Sequence, residues 1–424
     1  MADAYLGIDF GTSGVRAVAI DARNKVVAQS HIYFAQPDPT AIAWRTALFD
    51  LISQLPADCR ATLKSIAIAG TSATALLCDA SNQPLLPPLM YHDSRATEEA
   101  RALQAIAPPG HVTLSSSSSL AKLLWFSTQP LYSHARYFTH QADWLAALLH
   151  GQAGVSDYHN CLKLGYDVEN LCYPPWVLKL PVAKLLPQVL APGARIAAIL
   201  PDIAQNLGVN KDCRILAGTT DSIAAFIAAG ANCPGQAVTS LGSTLALKLL
   251  SQNRVEAAQY GIYSHRFGKL WLAGGASNSG GAVLKTYFSD PQLASLSQRI
   301  NPAHASELDY YPLPRPGERF PFNDPHLQPR LTPRPADDAA FLHGLLESLA
   351  RIEARGYQLL QELGATPLTS VLTAGGGAPN KTWTSIRQRL LNVSVTPALH
   401  GEAAYGAALL AAQGENLLTS ASRP

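Results

Sequence analysis

Strand-like apolar runs recur along the chain at 5–10, 15–20, 65–69, 75–79, 214–217, 237–241, 245–250 and 370–374. Between them, stretches at 42–55, 95–106, 142–150, 222–230, 281–288, 339–363, 381–391 and 403–413 carry the mixed pattern of helices. The interleaving predicts an α/β architecture. The first two runs are separated only by Gly11-Thr12-Ser13-Gly14, which predicts a β-hairpin with a tight turn of small and hydroxylic residues. Residues 307–338 hold eight prolines, so this segment is expected to be an irregular loop inside the second half. Five serines at 115–119 fit a loop or a helix start.

A chain of 424 residues exceeds one core of typical size, so two domains are expected. Apolar residues make up 47%, enough for two cores. Charged residues make up 15% against roughly 25% in average proteins, and the net charge is +2. Neither figure favours nucleic acid or an anionic membrane as partner. The six cysteines, at 59, 78, 161, 172, 213 and 233, match no zinc pattern and read as buried reduced thiols. The first strand begins after four residues and no apolar run approaches about 18 residues, which predicts a cytoplasmic protein with no signal peptide.

The turn at 11–14 offers backbone N–H groups and hydroxyls to an anion, and Asp9 at its mouth offers a carboxylate to a hydrated Mg²⁺. A solvent-facing Asp on an ordinary hairpin is the plainer reading. No lysine follows as a Walker loop requires, and the glycines at 7, 11 and 14 are wrongly spaced for a dinucleotide turn. Gly242-Ser243-Thr244 echoes the first turn, again between two apolar runs. Asp221 follows Gly218-Thr219-Thr220 and opens an alanine-rich helix. It can cap that helix, or act as a general base where open α/β sheets place their ligands. Gly375-Gly376-Gly377, between a strand and a helix, lets a flat ligand approach the backbone. Gly274 to Gly281 is read as one more small-residue turn after a strand.

The order of these motifs resembles the FGGY carbohydrate kinases of the actin-like ATPase superfamily. The match takes in the hairpin at 6–21, Tyr91-His92-Asp93-Ser94-Arg95-Ala96, Ser156-Asp157-Tyr158-His159-Asn160 and Gly218-x-x-Asp221. It continues through Leu241 to Thr244, 274–281, Pro316-Gly317-Glu318-Arg319, Gly375 to Gly377 and Glu402 to Ala407. The resemblance implies two actin-like, ribonuclease H-like domains with the active site in the cleft between them. It places them at 1–228 and 229–401, with the last helix, about 402–424, packing back on the first. It implies an ATP-dependent kinase using Mg²⁺, monomeric or a small homo-oligomer. Asp221 would be the catalytic base, and Asp9 would hold the metal through water on the substrate side. Gly11, Thr12 and Ser13 would face the transferring phosphate, with Gly242, Ser243 and Thr244 as the second phosphate hairpin. Gly275, Gly376, Gly377 and Asn380 would serve the nucleotide. Arg16 would orient the first loop or stand in solvent.

The residues after the run at 65–69 bear on the sugar. Glycerol kinases place Arg-Glu here and xylulokinases Gln-Met-His-Gly, whereas this chain has Gly70-Thr71-Ser72-Ala73-Thr74. Small walls and no charged clamp point to a ketopentose, D-ribulose ahead of D-xylulose. Thr71, Ser72 and Asp221 would hydrogen-bond its hydroxyls. Asn160 is a further sugar-side candidate or a turn asparagine. The alternatives are a non-enzymatic actin-like ATP-binding protein and an actin-like chaperone ATPase.

Overall fold

The computed structural model describes residues 2–36 and 39–419. The chain forms two compact α/β units, one from the residues up to Ala228 together with Glu402–Thr419, the other from Ala229–Gly401. Residues 420–424 of the expected terminal segment lie outside the described residues.

The first unit is organised on β1 (Ala4–Phe10), β2 (Gly14–Asp21), β3 (Val26–Tyr33) and β4 (Leu63–Gly70). The sheet runs β3-β2-β1-β4 and then to the strands Arg214–Leu216 and Arg195–Ala198. The first three strands are antiparallel, and β1 pairs parallel with β4. A central strand with a parallel neighbour is covered on both faces, and β1 shows how. Leu6, Ile8 and Phe10 point into a core containing Trp44, Leu48 and Leu51. On the other side Gly7 lies under the helix Ala403–Gln413, where an added Cβ would collide with the backbone of Ala404 and Ala408. Gly406 of that helix meets Ala224 of the helix Asp221–Ala229 in the same way. Small residues thus let two helices sit close to the sheet and fix where Asp221 begins its helix.

The second unit repeats the plan. Its sheet runs His265–Phe267, Leu270–Ser277, Leu245–Ser251, Gln236–Leu241, Ser370–Ala374, Ser394–Pro397. The first four are antiparallel neighbours and the last three are parallel. The 25-residue helix Asp338–Glu362 covers it. Its buried stripe of Leu342, Leu345, Leu346 and Leu349 has helical spacing and joins Leu247, Leu249 and Val371 in one core.

Two expectations need correction. Gly274 and Gly275 are not in a turn but inside the strand Leu270–Ser277. The strand needs them because a Cβ on Gly275 would strike the Phe320 ring and one on Gly274 the backbone of Leu247. The cysteines are all free, but only Cys78, Cys161 and Cys213 are buried, and Cys172 is exposed. Residues 307–338 are irregular, tied down by the buried Glu318, which accepts from the Tyr311 and Ser277 hydroxyls and the Asn278 N–H. Among the described residues no helix is long and apolar enough to cross a membrane.

A Gly7→Ala substitution would push the helix Ala403–Gln413 off the sheet. Overpacking of this kind costs about 1–3 kcal/mol. The variant is expected to melt several degrees below the parent by calorimetry, and an unchanged melting temperature would contradict this packing.

Candidate active site

Strand register brings the first unit's chemistry together. Asp9 of β1 pairs with Ala69 of β4, and Ala69 pairs with Thr219 of the short strand Thr219–Thr220. Phe10, Gly70 and Thr220 form the next row. Asp221 follows at once as the first residue of its helix. Asp9 and Thr219 therefore lie two strand spacings apart, about 10 Å along the sheet, at the carboxyl edge where α/β sheets present ligands. Gly218 permits the approach, since a Cβ there would strike the Ile68 carbonyl.

Asp9 bears the marks of a site built for a ligand. Its Oδ1 is buried with no hydrogen-bond partner. Burial, reinforced by the negative charge of Asp221, pushes its carboxyl up to about 7. Arg16 pulls the other way and Glu402 adds to the rise. Arg16 stands opposite Asp9 on β2 and pairs with Glu402 at 2.7 Å, both half-exposed. Neither sequence reading of Arg16 anticipated this partner. Among the described residues no three His, Cys, Asp or Glu side chains gather as a metal cage. A lone hard carboxylate with an unsatisfied oxygen fits a hydrated divalent cation, which takes one or two protein carboxylates and keeps its waters. Ser222 donates its N–H to Asp221 Oδ1 at 2.6 Å.

The turn Gly11–Ser13 closes with Gly11 N–H donating to the Gly14 carbonyl at 3.0 Å, leaving Thr12 half-buried and Ser13 exposed. Beside it, Gly70–Thr74 differs from expectation. The Thr71 hydroxyl is buried and engaged by Thr74 at 2.6 Å and Gln141 Oε1 at 3.0 Å, while its N–H also meets Gln141. Thr71 therefore shapes the turn instead of facing a ligand, and Ser72 is the half-buried hydroxyl left at its tip. Lys122 pins the same turn. It is fully buried and donates to the carbonyls of Ala73 and Met90 at 2.8 and 2.7 Å, and burial pushes its ammonium down to about 7. Asn160 is buried with Nδ2 on Asp157 Oδ2 at 2.5 Å and Oδ1 unpartnered. His159, its neighbour, bonds the Thr219 hydroxyl at 2.7 Å. Gln141 and Lys122 were missed because single polar residues at a helix start or within an apolar helix leave no spacing signal, and His159 was read only as part of the segment Ser156–Asn160.

In the second unit, Gly242, Ser243 and Thr244 form the hairpin turn. The carbonyls of Gly242 and Ser243 accept from Gly281 and Ala282 at 2.9 and 3.1 Å, leaving the Ser243 and Thr244 residues exposed. Gly242 and Ser243 border a cavity of about 740 Å³ that is also lined by Gly376, Gly377, Asn380, Lys285, Gln298 and Trp383. Gly376 faces open space, whereas Gly377 packs under Trp383. Asn380 lines the cavity, but its Oδ1 caps the helix Lys381–Leu391 through Trp383 N–H at 3.0 Å and its Nδ2 bonds Ser297 at 2.9 Å. Gly275 is absent from this lining and serves packing. The helix Asp290–Ser297, which supplies another wall, escaped the periodicity reading. Its capping box, Ser289 with Gln292, was the available signal.

Comparison with known proteins agrees with this layout. Residues 4–228 match the FGGY family of carbohydrate kinases, N-terminal domain, and residues 237–414 match the C-terminal domain. The chain is 21% identical over 446 residues to a xylulose kinase of Staphylococcus epidermidis, covering 97% of this chain and 88% of that one. It is 24% identical to the xylulose kinase of Escherichia coli, covering 92% and 84%. Its fold is similar to the crystal structure of a xyloylose kinase from Brucella ovis, with a TM-score of 0.86, 23% identity, and 99% and 93% of the two chains covered.

The raised Asp9 carboxyl predicts a pH-dependent stability. Between the unfolded value near 3.8 and the folded value near 7, the native state holds a proton that the unfolded chain has released. Stability falls as pH rises through that window, and the loss is complete above it. In chelated buffer Asp9→Asn is therefore expected to melt above the parent at pH 8, with the gain fading toward pH 4. A difference independent of pH would contradict the assignment.

Proposed function

Because the chain belongs to the FGGY family of carbohydrate kinases, and is thus a phosphotransferase acting on an alcohol group, we propose that it transfers the γ-phosphate of ATP to a ketopentose, D-ribulose being the preferred acceptor. The observation that carries this reading is the pair Asp9 and Asp221, set by strand register at one sheet edge and close enough to act on each other's charge. The turn Gly70–Thr74 beside them has neither a bulky nor a charged side chain, which leaves room for an extended polyhydroxy substrate. D-xylulose is the second reading, favoured by the relatives named xylulose kinase.

Phosphoryl transfer passes through a loose transition state, so the protein mainly positions the reactants and stabilises oxygens. Asp221 accepts the proton of the attacking hydroxyl as the new P–O bond forms and ADP leaves. Ser72 and Asp221 meet the sugar's hydroxyls, with Thr71 acting through the shape of the turn. The amides of Gly11, Thr12 and Ser13 face the moving phosphoryl group. Those of Gly242, Ser243 and Thr244 hold the nucleotide's phosphate tail. The adenosine lies in the cavity over Gly376 and Gly377, with Asn380 fixing one wall. A Mg²⁺ ion held through water by Asp9 would supply the positive charge that a Walker lysine supplies elsewhere.

A coupled assay of ADP release across D-ribulose, D-xylulose, L-ribulose and glycerol tests the acceptor. D-ribulose should give the highest kcat/KM and glycerol the lowest, and a panel in which no pentulose stimulates release would overturn the reading. A positioned base contributes about 10²–10⁴-fold. Asp221→Ala should lose that factor in kcat while ADP affinity stays within twofold, and unchanged turnover would remove Asp221 from this role.

A further inference from the structure

Below the second unit's two glycine-bearing loops lies an ion pair that the chemistry above does not use. Arg387 is fully buried and grips Glu353 with both sides of its fork, Nε to Oε2 at 2.6 Å and Nη2 to Oε1 at 2.8 Å. The pair is fastened to both loop-bearing strands. The remaining Arg387 nitrogen, Nη1, donates to Thr373 Oγ1 at 2.7 Å. On the carboxylate side, the Thr239 hydroxyl donates to Glu353 Oε1 at 2.5 Å and is itself met by the Tyr357 hydroxyl at 2.7 Å. Thr239 and Thr373 are register partners on adjacent parallel strands. Gly242 follows Thr239 after two residues, and Gly375 follows Thr373 after one.

Taking two charges out of water is unfavourable, and such a pair rarely adds net stability over well-packed apolar residues. What it does impose is geometry, because a bidentate guanidinium tolerates little displacement. Here two fork contacts end on Glu353 of the helix Asp338–Glu362, and the third ends on Thr373, whose strand leads into the loop that borders the cavity. Arg387 belongs to the helix Lys381–Leu391, whose first turn carries Trp383 of the cavity wall. Thr239 and Thr373 set the heights at which their two strands release the loops. We propose that the Arg387–Glu353 pair, through Thr239 and Thr373, is a positioning device that holds the two loops and the Trp383 wall in register for the nucleotide.

This proposal rests on the cavity being the nucleotide site, and the test separates the two claims. ADP binding to the full chain is measured by calorimetry, beside steady-state kinetics and thermal melts. Thr373→Val keeps the shape and removes the acceptor that ties Arg387 to its strand. It should weaken ADP binding about tenfold while kcat at saturating ATP and the KM for the sugar stay within twofold. Thr373→Ser, which restores the hydroxyl, should return ADP affinity to within twofold of the parent. Should Thr373→Val fail to fold, Arg387→Lys carries the same test, since it keeps the charge and loses the fork. ADP affinity equal to the parent's in the variant overturns the proposal, as does a parallel worsening of both substrates with a lowered melting temperature that Thr373→Ser does not rescue. A parent chain that binds no ADP overturns the reading of the cavity and this proposal with it.

Discussion

The structure depends on the register of three neighbouring parallel strands in the first unit. Side chains alternate between the faces of a sheet, so a slip of one residue would exchange every inward and outward position. In the observed register Leu6, Ile8 and Phe10 reach the core, and Asp9 falls in one row with Ala69 and Thr219. The apolar pattern that builds the core is therefore also what aims the carboxylate. No separate device is needed to bring Asp9 toward Asp221, and Asp9 could not be moved along its strand without unpacking the sheet.

Charge is used sparingly in this chain, and where it is buried it is confined to places that demand exact placement. Lys122 joins two turns by their carbonyls, and the Arg387–Glu353 pair joins two strands by their threonines. Asp9 differs from these two, since its buried Oδ1 has no protein partner. A protein leaves such an atom unsatisfied only at some loss of stability, the kind of loss found where a ligand completes the arrangement.

Most of the fold could be read from the amino-acid pattern. The hairpin at Gly11–Gly14, the echo at Gly242–Thr244 and the helix opened by Asp221 combine strong apolar runs with small-residue turns, and such signals are local. What stayed hidden depended on tertiary contacts. The edge strand Val26–Tyr33 has one wet face and a diluted apolar pattern. Gly274 and Gly275 imitate a turn, yet they are strand residues made small by the Phe320 ring and the Leu247 backbone. Thr71 adjoins the sheet edge that carries Asp9 and Asn380 lines the cavity, but their polar atoms are engaged by Gln141, Ser297 and the Trp383 amide. Composition alone cannot tell a hydroxyl that faces a ligand from one that braces a turn.

The helix Ala403–Gln413 has a bearing on how the molecule is made. It covers β1, yet all of residues 229–401 lie between it and the strands that it completes. Closing so long a loop adds little entropy beyond that of a shorter one, because the term grows only with the logarithm of length. The order of synthesis is another matter. While the ribosome is still extending the chain, the sheet of the first unit waits with one face bare, and any premature stop codon ahead of this helix would release a product lacking that cover. The strand Ala4–Phe10 emerges long before the helix that seals it.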